Sequence, residues 1–130
     1  MSTAVILGAG DIGGALARQL AALDVVSRIV LVDELSSVAA GKALDVAQSS
    51  PVDRYHTVMS GTSDIAAVVG AAVIVIADAA KAPGAEWKDD AGLALVKRVA
   101  GLNQVAPIIC AGTSQAGMIE KGVTEGGVSR

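Results

Sequence analysis

Residues 5–14 of the chain read VILGAGDIGG. Val5, Ile6 and Leu7 have the composition of a strand buried on both faces. Gly8, Gly10 and Gly13 follow, and an Ala- and Leu-rich run then continues to Leu23. That run suits a helix. The stretch therefore reads as strand, glycine turn and helix start, and on that reading the whole chain divides into β–α–β units.

Working outward, the pattern repeats. Thr3–Leu7 is a strand and Ile12–Leu23 a helix with small residues early. Arg28–Asp33, RIVLVD, is a second strand, and Ser36–Gln48 a helix whose apolar stripe is Val38, Leu44 and Val46. His56–Met59 reads as a short third strand, Asp64–Val69 as a short helix or turn, and Ala72–Ala77, AVIVIA, as another long apolar strand. The polar loop KAPGAEWKDD turns at Pro83-Gly84. Leu93–Val105 is a helix, Pro107–Ala111 a last strand, and Ala116–Lys121 a last helical turn. Strands alternating with helices at this spacing specify a parallel sheet. Near-continuous apolar strands require helices on both faces. Right-handed crossovers make the sheet doubly wound. The expected class is α/β, a parallel sheet of about five strands in the order 3-2-1-4-5.

The length of 130 residues fits one domain. Its core must be aliphatic, since there is no Phe, one Trp and one Tyr. A net charge of −3 without a basic run argues against a nucleic-acid partner. The lone Cys110 excludes an internal disulfide and suits a reducing compartment. No signal peptide and no bilayer-spanning run is read, so a cytoplasmic location is expected.

The glycines at 8, 10 and 13 match G-x-G-x-x-G, and Asp33 ends the next strand twenty residues after Gly13. That is the context of a dinucleotide-binding Rossmann fingerprint. Gly8 permits the tight turn, Gly10 lets backbone approach a pyrophosphate, and Gly13 lets the helix pack on the strand. The free N–H groups at the helix start face the anion. Asp33 is placed for an adenosine ribose, and the pair Asp33-Glu34 repels a 2′-phosphate, which favours NAD over NADP. The plainer reading is a glycine-rich turn with no ligand. Asp11, at the helix start, suits the helix dipole but can compete with a bound phosphate.

The order ILGAGDIGGALA, IVLVDE, GKALDVAQSSP, GTSD and VIVIADAAKAPG resembles the lactate/malate dehydrogenases over essentially the whole chain. GKALDVAQSSP and AKAPG are more specific than the glycine motif. The resemblance implies a Rossmann domain, with Gly8, Gly10, Asp11 and Ile12 along the pyrophosphate, Asp33 at the ribose and Ala77–Ala79 under the cofactor. In the family a catalytic domain of comparable size follows. It implies hydride transfer between NAD and a 2-hydroxy acid in the full-length enzymes. The helix carrying GKALDVAQSSP commonly packs between subunits in the family, and the apolar last strand is a second sticky edge. A homo-oligomer is therefore expected.

Departures from the family pattern are specific. Asp78 stands where a Gly is usual, which puts a second carboxylate near the phosphates. Lys81 occupies the place of the first substrate-loop arginine, and the second falls at Trp87 or Lys88. Lys keeps the charge but loses the bidentate fork. Gly112-Thr113-Ser114 replaces Thr-Asn-Pro, and Leu95 replaces an Asn. The chain stops at GGVSR, about where a sixth strand would begin in the full doubly wound order. The second domain, with its catalytic His, is expected to be absent, so catalysis by the chain alone is not expected. His56, the one histidine, is read as an ordinary surface or partly buried residue. Cys110 is read as core. Glu86, Asp89 and Asp90 are read as a helix start rather than a metal site. Ser114 lacks the nucleophile-elbow pattern. The alternative reading is a non-catalytic Rossmann module for self-association or nucleotide sensing. A different short nicotinamide-dependent reductase stands behind both.

Overall fold

The structure, a computed structural model, describes residues 2–49, 56–85, 87, 89–111, 120 and 123. Five strands form one parallel sheet: β1 (Thr3–Leu7), β2 (Arg28–Val32), β3 (Val58–Thr62), β4 (Val73–Ile76) and β5 (Ile108–Cys110). Their order is β3-β2-β1-β4-β5, as the sequence implies. The helices are α1 (Asp11–Leu23), α2 (Ser36–Gln48) and α3 (Asp89–Leu102), with a 3-10 turn at Ile65–Val68.

Side chains alternate across the sheet and separate two cores. Ala4, Ile6, Ile29 and Leu31 face α1 and α2, which contribute Ala17, Ala21, Ala39, Ala43 and Val46. Val5, Leu7, Val30, Val32, Ile74 and Ile76 face the other way, onto Val68 of the 3-10 turn and Val96 and Val99 of α3. Buried alanines on the first face let α1 and α2 lie close to the sheet. The aliphatic composition suits this thin, two-sided core.

Most bounds shift by a residue from the sequence expectation, and three elements depart from it further. β3 is displaced toward the C-terminus, to Val58–Thr62. Its register is set by β2, with Val58 beside Arg28 and Thr62 beside Val32. Ser60 and Gly61 look like turn residues, yet both pair with β2, and position 61 takes glycine because a Cβ there would fall on the Ala39 backbone of α2. The helix expected at Leu93–Val105 is instead Asp89–Leu102. Asn103 ends it. Its Nδ2 donates to the carbonyls of Val68 and Ala71, and its Oδ1 accepts from the N–H groups of Val105 and Ala106. The last strand is trimmed to Ile108–Cys110. The expected turn at 116–121 falls largely outside the described residues.

Gly61→Ala should destabilise the chain by about 1–3 kcal/mol through overpacking against α2. Gly101→Ala should stabilise it by about 0.5–1 kcal/mol, because a Cβ at Gly101 on α3 meets nothing within 4 Å. Urea unfolding of both variants checks this, and like signs would refute it.

Candidate functional site

The strand order reverses between β1 and β4, since the chain runs outward through β2 and β3 on one side and through β5 on the other. In an open parallel sheet such a reversal leaves a crevice at the carboxyl ends of the strands. The glycine turn after β1, Asp33 after β2 and Asp78 after β4 all lie at these ends.

Gly8 leaves β1 with φ +110° and donates its N–H to the Val32 carbonyl at 2.7 Å. Such a φ favours glycine. A Cβ on Gly8 would strike the Asp78 carbonyl, one on Gly10 the Asp78 carboxylate, and one on Gly13 the Gly8 carbonyl. All three motif glycines are thus demanded by the chain's own packing, before any ligand is considered.

Asp78 is fully buried. Its carboxylate accepts from the N–H groups of Ile12 (3.1 Å), Gly13 (2.8 Å) and Gly84 (2.6 Å). The side chain caps α1 from 65 residues away, where the N-cap residue, Gly10, offers no side-chain cap. Burial pushes the carboxyl's pKa up, but the backbone groups of Gly84, Gly13, Ile12 and Asp11 outweigh it and hold it below the ordinary value.

Asp33 makes a second stitch. Its Oδ2 accepts from the N–H groups of Ala9 (2.9 Å) and Ala80 (2.8 Å), and its Oδ1 from Leu35 (2.9 Å). It is buried, and a carboxylate has about four lone-pair sites, so acceptor capacity remains after three bonds. Lys42 of α2 donates from Nζ to the Gly10 carbonyl at 2.9 Å and braces the turn from the side. Sequence reasoning did not single out Lys42. Its one signal was its place in the specific segment GKALDVAQSSP.

The other expected residues are distributed as follows. Asp11 opens α1 and is exposed, and Ile12 is half-buried. Ala77 is buried and Ala79 half-buried beside Asp78. Lys81 pairs with Glu34 at 3.2 Å with both side chains exposed, an ion pair of about 0–1 kcal/mol. Lys88, Glu86 and Gly112-Thr113-Ser114 lie outside the described residues. Leu95 and Trp87 pack against the α3-side core. Cys110 is half-buried against that core, and burial raises its pKa. His56 is exposed and precedes β3, at the amino ends of the strands, opposite the crevice. Among the described residues no group of three or more His, Cys, Asp or Glu is placed to hold a metal.

The arrangement is a helix start, a glycine turn and flanking backbone N–H groups, whose donors at Ala9, Ile12 and Gly13 are taken by the Asp33 and Asp78 carboxylates. The glycine turn and Asp33 suit a dinucleotide. The Asp78 carboxylate does not, because it already takes the Ile12 and Gly13 donors that a pyrophosphate would use.

Residues 3–116 match the family described as the lactate/malate dehydrogenase, NAD binding domain. A malate dehydrogenase of Pelagibacter ubique is 40% identical over an alignment of 112 residues that covers 81% of this chain and 35% of that protein. A malate dehydrogenase structure from Salinibacter ruber superposes with a TM-score of 0.77 at 25% identity, covering 98% of this chain and 42% of that one. A lactate dehydrogenase from Cryptosporidium parvum superposes with a TM-score of 0.79 at 22% identity, covering 98% and 40%. The chain therefore spans about a third of the curated relative, by its 35% coverage.

Asp78→Ala should cost about 1–3 kcal/mol at pH 7, because three N–H groups lose their acceptor. The folded pKa of Asp78 is depressed, so its stabilisation is complete above the unfolded value of about 3.9 and is lost as pH falls through the folded value. Urea titrations should show the gap between wild type and variant closing below about pH 4. A gap that widens in acid would contradict the assignment.

Proposed function

The chain belongs to the lactate/malate dehydrogenase family as its NAD-binding domain, and from that premise we propose that it is the cofactor-holding part of an NAD-dependent 2-hydroxy acid dehydrogenase. The supporting observation is the placement of the glycine turn and Asp33 together at the point where the strand order reverses. Gly8, Gly10, Asp11, Ile12 and Gly13 line the pyrophosphate, and Ala77, Asp78 and Ala79 lie beneath the cofactor. Asp33 accepts from the adenosine ribose, and with Glu34 it disfavours a 2′-phosphate. When bound, NAD supplies the hydride acceptor. The residues of this chain bind and orient it, and Lys81 stands at the loop position that meets the substrate, with Lys88 as a second loop cation.

The general base comes from elsewhere. A base must lie within hydrogen-bond reach of the hydroxyl it deprotonates. His56 is at the opposite ends of the strands, and a five-residue strand separates the two ends by roughly 13–17 Å. The domain thus works with a second, catalytic half. No helix among the described residues is long and apolar enough to cross a membrane. The free thiol of Cys110 suits a cytoplasmic setting.

The second reading, a module for self-association, has its own observation. Leu44 on α2 and Ile109 on β5 are 57% and 52% exposed, which is high for large apolar side chains. Both readings predict a homo-oligomer through α2, the β5 edge, or both.

Calorimetry should give tighter binding of NADH than NADPH, with a dissociation constant in about the high micromolar to millimolar range (about −4 to −6 kcal/mol). Preference for NADPH, or unchanged binding in Gly10→Val, would refute the site. The purified chain should not oxidise lactate or malate measurably. A robust rate abolished by His56→Ala would overturn the division of labour. Light scattering after size exclusion should show a dimer or larger assembly, reduced by Leu44→Glu; a clean monomer at high concentration would remove the oligomer.

A further inference from the structure

We propose that Asp78 is a built-in competitor for the cofactor's phosphates, and that a dinucleotide binds here only by driving its carboxylate from the start of α1 and so untying the loop 79–84. The proposal rests on the reading that NAD occupies the glycine turn.

Three observations carry it. First, the donors at the helix start are already committed. The N–H groups of Ile12 and Gly13 point at the Asp78 carboxylate at 3.1 and 2.8 Å. A helix start presents such groups to whichever anion reaches it, and the partial charge there serves one anion well and two poorly. Second, the space is the same. A Cβ built on Gly10 lands on the carboxylate of Asp78, so the room left by the missing side chain of Gly10 is filled by this group. The carboxylate is wholly excluded from solvent, which makes it a resident of the site and not a passing surface charge. Third, the same carboxylate holds a second segment. It accepts from the Gly84 N–H at 2.6 Å, at a residue with φ +81° that closes the loop. A carboxylate that leaves the α1 start cannot keep that contact in its present geometry.

The consequence is a coupling between cofactor and loop. With the site holding Asp78, the loop 79–84 is tied down at both ends, at Gly84 by Asp78 and at Ala80 by Asp33 (2.8 Å), with Lys81 drawn to Glu34. Phosphates that replace the carboxylate free the Gly84 end. By reciprocity, whatever keeps the loop closed on Asp78 weakens cofactor binding by the same factor. Asp78 therefore sets the affinity for the dinucleotide from a position that touches the loop carrying Lys81.

The test combines variants with a readout on the unaltered chain. NADH fluorescence titrations of wild type, Asp78→Gly and Asp78→Asn should show Asp78→Gly binding at least tenfold tighter than wild type, with Asp78→Asn between them. Equal or weaker binding by both variants overturns the proposal while leaving the cofactor site intact. Absence of NADH binding in all three chains overturns the cofactor reading, and this proposal with it. Because loss of the cap weakens α1, nitrogen-15 amide spectra of the wild type with sodium pyrophosphate give a decision that needs no variant. The Gly84 amide should move together with those of Ile12 and Gly13. Movement of Ile12 and Gly13 with Gly84 unmoved, or no movement of any of the three, overturns it.

Discussion

The buried carboxylate of Asp78 at the start of α1 joins segments that lie far apart in the chain. It takes the donors of Ile12 and Gly13, and it holds Gly84 on the loop after β4. Its own backbone carbonyl accepts from the Gly10 N–H at 3.0 Å. Removing a carboxylate from water is expensive unless its oxygens are fully engaged, and here they are engaged by three backbone donors. This one group thus sets how closely the glycine turn approaches the end of β4. That approach in turn demands glycine at positions 8 and 10.

Asp33 does parallel work two strands over, at the end of β2, drawing Ala9 and Ala80 onto a single oxygen. The two acids bring the turn after β1 and the loop after β4 together across the line where the sheet's connections diverge. Lys42 adds a cation against the Gly10 carbonyl from α2. The result is a crevice whose walls are stitched by charge-assisted hydrogen bonds, the stronger class of such bonds. It changes the meaning of the glycine motif. Its three glycines answer a steric demand within the chain, so the motif alone does not distinguish a cofactor cradle from a tight turn. Position at the strand reversal and membership in the family carry that distinction.

The chain is a cofactor domain whose relatives are more than twice as long, since it covers 35% of one and 42% of another. Its two faces are filled by α1 and α2 on one side and by α3 and the 3-10 turn on the other. Among the described residues β5, of three residues, is the border of the sheet, with Ile109 exposed. A hydrophobic border strand is a surface that natural proteins cover. The family's NAD-binding domain is the part that this chain supplies.

Much of this was legible in the residues. Apolar runs at 3–7, 28–33 and 72–77, separated by helical segments, specified parallel strands because only a sheet covered on both faces tolerates such runs. The order of the five strands was that of the Rossmann pattern to which the glycine fingerprint belongs. The glycine spacing and Asp33 pointed to the candidate site, because a strand–turn–helix with those offsets is a local pattern. What local pattern could not reveal was every feature that depends on a distant partner. Gly61 belongs to a strand because it pairs with Leu31 of β2 and must be glycine because the α2 backbone lies against it, and α3 stops at Asn103 because that side chain bonds Val68 and Ala71. Asp78 was visible as an odd carboxylate near the phosphates. Only the folded chain placed it at the α1 helix start, since its donors at Ile12 and Gly13 lie more than sixty residues away in sequence and are brought within 3.1 Å by the pairing of β1 with β4.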